Sequence, residues 1–409
     1  MHWFDQARFG MFVHWTHCSN RGYELSWPLV GGLHVLPRCQ DTTVADYYRD
    51  AFAFSPRRGA AKEWMRLARA AGMGYAVLTT KHHDGFALWP TKHTEFSIEQ
   101  TPYGGDLVGE FVDAARAEGL RVGFYHSLSD WHHPDYPAFR EADKPYMSFL
   151  GRRSETWDAY IETLHGQVRE LLTGYGRIDV MWFDGQWERS ADEWRAADLA
   201  AMIRELQPQI LINDRLPGGD YATPEQSIPA TVPEGRWETC MTMNSSWGYV
   251  PSDDAYKSPT EIVHTLCEVA SKGGNLLLNV SPRGDGTLPP EQVGRLEAVA
   301  GWMDVHADAI HGTQAGLEPW QFYGPSTRRG DVIYLACPWR PYEDVVVRGV
   351  PIRRLSAKHH ASGRELAIRT RATAEQELLS SDPVGEAFIE VPDELIEPHA
   401  TVIELHLAP

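Results

Sequence analysis

The chain has 409 residues, 43% apolar and 23% charged, which are ordinary values for a folded globular protein and exclude disordered, collagenous and coiled-coil readings. Lys and Arg total 38 against 56 Asp and Glu, a net charge of −18, so nucleic acid and anionic membrane surfaces are poor partners. Fifteen tryptophans beside 16 tyrosines and 14 phenylalanines are the unusual feature, and they suit either sugar stacking or plain core packing.

The length fits one large domain followed by a smaller one. From residue 1 to about 312, short apolar runs alternate with amphipathic windows, the signature of βα units around a parallel sheet. Phe9 to His14 predicts a first strand, and Trp64, Leu67, Ala68 and Ala71 recur at helical spacing before Gly72. Gly74 to Thr80 predicts strand two, Asp106 to Gly119 a helix and Arg121 to Tyr125 strand three. A long helix carries Trp157, Ile161, Leu164, Val168 and Leu171. Ile178 to Phe183 predicts strand four, a helix runs from about Ala196 to Leu206, and Gln209 to Asn213 predicts strand five. Ser258-Pro259-Thr260-Glu261 is a capping box opening a helix that stops at Gly273, and Asn275 to Val280 is another buried strand. Eight such units make a (β/α)₈ barrel over residues 1–312. Residues 313–409 change texture: DVIYLAC, DVVVRGV and TVIELHL are short β-rich runs split by turns, which predicts a small antiparallel β-sandwich.

The five cysteines (Cys18, Cys39, Cys240, Cys267, Cys337) are odd in number and lack a CxxC pair, which speaks against a disulfide framework or zinc ribbon. With no basic-then-apolar leader and no unbroken run of about 18 apolar residues, a cytoplasmic location is expected.

In such barrels, reacting groups sit where strands end. Those ends read His14-Trp15, Lys81-His82-His83-Asp84, Tyr125-His126-Ser127, Asp184-Gly185 and Asn213-Asp214-Arg215, with Glu225 and Trp237-Glu238 beyond. Asp184, at the end of a strand with five apolar residues, is the sharpest signal; Gly185 is expected to leave its face open to a ligand, and a helix-capping Asp is the alternative. Glu225 sits in a turn-rich segment able to reach the same mouth or to be an exposed loop carboxylate. Two carboxylates facing one sugar are the minimum of a glycosidase. Adjacent His82 and His83 raise a metal-dependent hydrolase as a rival, though neighbours on a strand face opposite ways unless the backbone bends. His132-His133, in a Pro-flanked loop, reads as structural or peripheral. A non-catalytic carbohydrate-binding protein would explain the tryptophans and the sandwich, but not carboxylates gathered at the mouth.

Together the segments resemble glycoside hydrolase family 29, the α-L-fucosidases. The blocks that carry the likeness are ARFGMFVHW, KHHDGF, VGFYHSLSDWHHPDYP, VMWFDG, LINDR, TPEQ, WETCMTMNSSWGY and SKGGNLLLNVSPRGDG. The resemblance implies that Asp184 is the nucleophile of a retaining hydrolysis, with no metal or cofactor. It implies that His14, His82, His83 and Arg215 bind fucose hydroxyls or support the nucleophile. It places Phe12 and Trp182 at the sugar's methyl group, with Tyr125 and Trp247 as further contacts. Trp27 matches the Trp of the family's usual Glu-Trp pair, which here reads Ser26-Trp27, and Glu24 is taken as the substitute carboxylate. Glu225 is assigned as acid/base, with Glu238 as its rival. Burial under aromatics and a negative neighbour should raise the Glu225 carboxyl, and Arg215 should keep Asp184 ionised. The ELSWPLVGG and DWHHPDYP wording points to the branch acting on α-1,3/1,4-linked fucose, so the expected partner is a fucosylated oligosaccharide. Seven tryptophans (Trp15, Trp27, Trp131, Trp182, Trp187, Trp237, Trp247) stand in or beside mouth segments, while Trp64, Trp157 and Trp194 lie in helical windows.

Overall fold

Alternation of side chains along buried strands builds the molecule from the inside outward. The computed structural model describes residues 2–31, 42–137, 140–144, 154–341 and 343–407. In chain order the first part is α1 (Trp3–Ala7), β1 (Phe9–Val13), α2 (Val44–Ala51), α3 (Ala60–Ala70), β2 (Tyr75–Lys81), α4 (Leu107–Ala117), β3 (Arg121–Ser127), α5 (Trp157–Gly174), β4 (Val180–Asp184), α6 (Ala196–Leu206), β5 (Leu211–Ile212), β6 (Tyr221–Ala222), β7 (Arg236–Thr242), α7 (Pro259–Ser271), β8 (Asn275–Val280) and α8 (Pro290–Ile310).

The eight strands run parallel in the order β5-β4-β3-β2-β1-β8-β7-β6. One further parallel bridge, Asn213 to Tyr221, joins β5 to β6 and brings the sheet round on itself. This is the expected TIM-like barrel. On β4, Val180 and Trp182 belong to a cluster with Phe12, Tyr75, Val77, Tyr125, Leu211, Tyr221, Cys240 and Leu277, contributed by all eight strands: the barrel interior. Met181 and Phe183, one residue out of phase, join the large outer cluster shared with the helices. A period of two thus sorts each strand into a lumen face and a helix face.

The departure from eight regular units lies between β5 and β7. No helix follows β5 or β6; loops 213–220 and 223–235 take their place. These loops cross the C-terminal mouth of the barrel, where Arg215 and Glu225 reside. The helix ends obey local rules. Ser258 Oγ accepts from Glu261 N at 3.1 Å and Glu261 accepts from Ser258 N at 2.6 Å, the anticipated capping box, with Pro259 in the first turn.

After α8 the chain forms β9 (Gln314–Ala315), β10 (Ser326–Arg329), β11 (Val332–Cys337), β12 (Val345–Pro351), β13 (Leu355–His359), β14 (Glu365–Leu366), β15 (Ile368–Arg371), α9 (Ala374–Leu379), β16 (Val384–Ile389) and β17 (Thr401–Leu407). Antiparallel sheets of six and three strands enclose a second core of Ile333, Leu335, Val345, Val347, Ile389, Ile403 and Leu405. The Trp302 indole on α8 donates to Ala400 O at 3.0 Å, tying this layer to the barrel. Cys18, Cys240, Cys267 and Cys337 are buried free thiols, and Cys39 lies outside the described residues.

Candidate active site

The residue parity that puts Trp182 in the barrel lumen also puts Asp184 there, at the open C-terminal end of β4. It lines a cavity of about 180 Å³ together with Phe12, His14, Trp27, His82, His83, Tyr125, Trp182, Trp187, Arg215, Glu225, Cys240 and Trp247. Asp184 and Glu225 are the carboxylates lining it among the described residues. Asp184 Oδ1 accepts from Arg215 Nη1 at 2.6 Å, Oδ2 accepts from the Tyr125 hydroxyl at 2.8 Å, and His83 Nε2 lies 3.7 Å away. Burial opposes the charge, but the Arg215 cation outweighs it, with help from His83 and Tyr125, and the carboxyl falls to about 2. Asp184 is therefore held as an ionised carboxylate facing the cavity, and its oxygens bond Arg215 and Tyr125 instead of capping a helix. Gly185 does not open the site to a ligand. It adopts φ +78°, and a Cβ there would stand 2.5 Å from Ser129 Oγ, so glycine serves the turn itself.

Arg215 is the hinge of the site. Its Nη2 donates to Glu225 Oε2 at 2.6 Å, and its guanidinium lies 4.6 Å over the Trp182 ring. One cation thus spans both carboxylates. Glu225 is held by a parallel bridge to Cys240, and the next residue, Gln226, takes the left-handed φ of 54° while its side chain pairs with Thr242. The burial expected around Glu225 is absent: its side chain is 40% exposed, at the cavity rim. Its neighbour is a guanidinium, not a second uncompensated charge.

The bend needed to bring both adjacent histidines to one ligand is present. Pairing of β2 with β3 shifts register between Thr79 and Lys81, the strand ends at Lys81, and the His82 and His83 rings lie 4.1 Å apart in the cavity wall. Each Nδ1 is committed to a hydroxyl, His82 to Ser26 at 2.5 Å and His83 to Ser127 at 2.7 Å. His14 Nδ1 pairs with Asn279 Oδ1 at 2.7 Å. Burial pushes His14 and His83 down to about 4 and His82 well below its ordinary value, so all three are neutral imidazoles near neutral pH. His132 stacks on Phe96 with centroids 4.1 Å apart and His133 packs on Tyr160, both away from the cavity wall.

Two predicted site carboxylates stand behind the wall instead of in it. Glu24 is fully buried and accepts the backbone N–H groups of Trp247 at 2.6 Å and Gly248 at 2.8 Å, burial pushing it up to about 8. Glu238 points into the lumen beneath the cavity, where it accepts from the Tyr75 hydroxyl and, at 3.1 Å, from the Trp182 indole; burial raises it to about 7. Neither lines the cavity, because each is capped by the tryptophan it holds. Trp27, Trp182, Trp187 and Trp247 reach the cavity, whereas Trp15, Trp131 and Trp237 are core residues. Trp131 backs Trp27 at 6.0 Å between ring centroids. Sequence reasoning missed the role of Ser26, Ser127 and Asn279, which orient the three imidazoles, and Cys240 in the wall; small polar residues in strands and turns carry no signal of their own.

The family model described as Alpha-L-fucosidase matches residues 1–308. The chain is similar to the tissue alpha-L-fucosidase of Mus musculus, 32% identical over 341 residues, covering 78% of this chain and 72% of that protein. It is also similar to that of Homo sapiens, 30% identical over 417 residues, covering 95% and 84%. Among solved structures, alpha-L-fucosidase isoenzyme 1 from Paenibacillus thiaminolyticus superposes with a TM-score of 0.87 at 37% identity, over 100% of this chain and 98% of that one. A GH29 alpha-L-fucosidase from Bacteroides thetaiotaomicron, solved as a trapped covalent intermediate with 2-fluoro-fucosyl fluoride, gives 0.82 at 27% identity over 98% and 94%.

Proposed function

The chain belongs to the α-L-fucosidase family of glycoside hydrolases, and from that premise we propose that Asp184 and Glu225 carry a retaining hydrolysis of terminal α-L-fucosides. The observation that carries the assignment is that these two carboxylates face one cavity and share one guanidinium. Asp184 attacks the anomeric carbon as the glycosidic C–O bond breaks, and protonated Glu225 gives its proton to the departing oxygen. Glu225 then takes a proton from the water that displaces the sugar from Asp184. A trapped covalent intermediate in the Bacteroides relative supports the two-step course. The rim position of Glu225 suits exchange with solvent. Neutral His14, His82 and His83 present uncharged hydrogen-bonding groups to sugar hydroxyls, while Phe12 and Trp182 offer an apolar face to the C6 methyl.

For the linkage we propose α-1,3/1,4-fucosylated oligosaccharides, on the wording of the ELSWPLVGG and DWHHPDYP segments. Trp27 of the first lines the cavity and Trp131 of the second lies behind it, which supports a role for both segments near the aglycone. Four buried free thiols agree with the proposed cytoplasmic location. Asp184→Ala should nearly abolish hydrolysis of an aryl α-L-fucoside; activity kept within about tenfold overturns the nucleophile assignment. A panel of α-1,2-, α-1,3- and α-1,4-fucosylated oligosaccharides tests the linkage, and preference for α-1,2 overturns it.

A further inference from the structure

One buried cluster takes no part in the chemistry above. His17 and Cys18 lie on the turn after β1, Tyr47 on α2 and Asp84 just after β2, each no more than 1% exposed. Their polar atoms converge. Asp84 Oδ2 is 3.0 Å from His17 Nε2, 3.7 Å from Cys18 Sγ and 2.7 Å from the Tyr47 hydroxyl. Cys18 Sγ is 3.8 Å from His17 Nε2 and 2.9 Å from the Tyr47 hydroxyl.

Tetrahedral zinc, with bonds of about 2.0–2.3 Å, holds neighbouring N, O and S ligand atoms roughly 3.3–3.6 Å apart. The triangle of Nε2, Sγ and Oδ2 has edges of 3.0, 3.7 and 3.8 Å, which straddle that range. Among the described residues this is the one group of three potential ligands so gathered. We propose that His17, Cys18 and Asp84 form a zinc-binding site, separate from the reacting carboxylates, with the Tyr47 hydroxyl beside the fourth position.

The charges and protons balance. A thiolate and a carboxylate neutralise the dication in a site that water does not reach. In the metal-free cluster the Cys18 thiol stands 3.1 Å from Leu25 O. On binding, the S–H bond gives way to an S–Zn bond and that proton leaves to solvent, so affinity rises with pH. On metal binding the Nε2 that faces Asp84 in the metal-free cluster presents its lone pair, and the ring proton moves to Nδ1, a buried atom without a hydrogen-bond partner. No electron is transferred. Exposed Asn20 and Arg21 follow the ligands after one buried residue, Ser19, so local opening of that turn provides the route in. The site adjoins the cavity wall, since Asp84 N donates at 3.0 Å to Ser26 Oγ, the partner of His82.

The test uses the full chain, dialysed against chelator and titrated with zinc chloride or cobalt chloride beside Cys18→Ser and His17→Gln. The expected result is one metal per chain, one proton released per zinc, a thiolate-to-cobalt charge-transfer band, and a thermal midpoint that rises with zinc. Cys18→Ser should lose the band and bind roughly 10- to 100-fold more weakly, and His17→Gln should weaken binding comparably. Absence of stoichiometric uptake or of the band in the unmutated chain overturns the proposal, whether or not either variant folds. Uptake unchanged in both variants also overturns it, placing the metal elsewhere, such as His82 and His83. Because the readouts are metal content, spectrum and stability, failure here leaves the fucosidase reading untouched.

Discussion

The indole N–H of Trp182 donates to Glu238 at 3.1 Å, so a ring that forms the cavity floor is held from below by a carboxyl the cavity never touches. The same ring carries the Arg215 guanidinium over its face, 4.6 Å from the centroid. Glu238 therefore acts on Asp184 and Glu225 through Trp182 and Arg215, as a positioning residue. Glu238→Gln keeps an acceptor for Trp182 and is expected to retain most of kcat. Glu238→Ala strands the Trp182 and Tyr75 donors, at about 1–3 kcal/mol each, and should lower both stability and kcat/KM. Neither variant should be rescued by azide. Azide rescue of Glu238→Ala with activated substrates would instead make Glu238 the acid/base.

Stability should carry the mark of the two buried carboxyls. Glu24 is raised to about 8 and Glu238 to about 7 in the folded chain, against about 4.3 when unfolded. Each folded carboxyl holds its proton where the unfolded one has lost it, so the stability it contributes is complete below pH 4 and is lost as pH rises to 7 or 8. Asp184, lowered to about 2, works in the opposite sense and only on the acid side of its ordinary value. Thermal midpoints measured from pH 5 to 8 should fall less steeply for Glu24→Gln than for the unmutated chain. Equal slopes would show that Glu24 is ionised throughout.

The cavity imidazoles give a pH prediction of a different kind. His14, His82 and His83 are all held below their ordinary range by burial, so none of them should produce a limb near pH 6.5 in kcat/KM. Asn279→Asp sets a carboxylate 2.7 Å from His14 Nδ1 in place of an amide, which stabilises the imidazolium. That variant should acquire a new limb and a higher KM below it. A profile identical in shape to the unmutated one would show that His14 is remote from the bound sugar.

How far these features were legible in the sequence follows from what each residue announces about itself. Asp184 stood out because a carboxylate ending an apolar strand conflicts with its surroundings, and parity then placed it in the lumen. NLLLNV and VMWFD were readable as strands because both faces are buried. The run Gln209 to Asn213 was readable as strand five and holds β5, but the two-residue β6 is too short to show a period, and the missing helices after both strands leave no trace except loop composition. Glu24 and Glu238 misled because a buried carboxyl with neutral donors has the same one-letter signature as a ligand-binding one. Their partners, a backbone turn and two aromatic donors, come from segments more than fifty residues away, and only the fold reveals them.

Arg215 supplies the sharpest test of the site, because one side chain makes two different contacts. Arg215→Lys keeps the charge but cannot span Asp184 at 2.6 Å and Glu225 at 2.6 Å with a planar fork. Loss of one charge-assisted hydrogen bond, worth about 1.5–3 kcal/mol, should lower kcat/KM roughly 10- to 150-fold. Arg215→Gln, which removes the cation that offsets the burial of Asp184, should also move the acid limb of the profile upward. Glu225→Ala removes only the second contact. It should spare activated aryl fucosides and cripple substrates with poor leaving groups, with azide restoring turnover of the former as the fucosyl azide. If Glu225→Ala slows both substrate classes equally and azide has no effect, Glu225 serves only to seat Arg215, and the proton must come from another group at the rim.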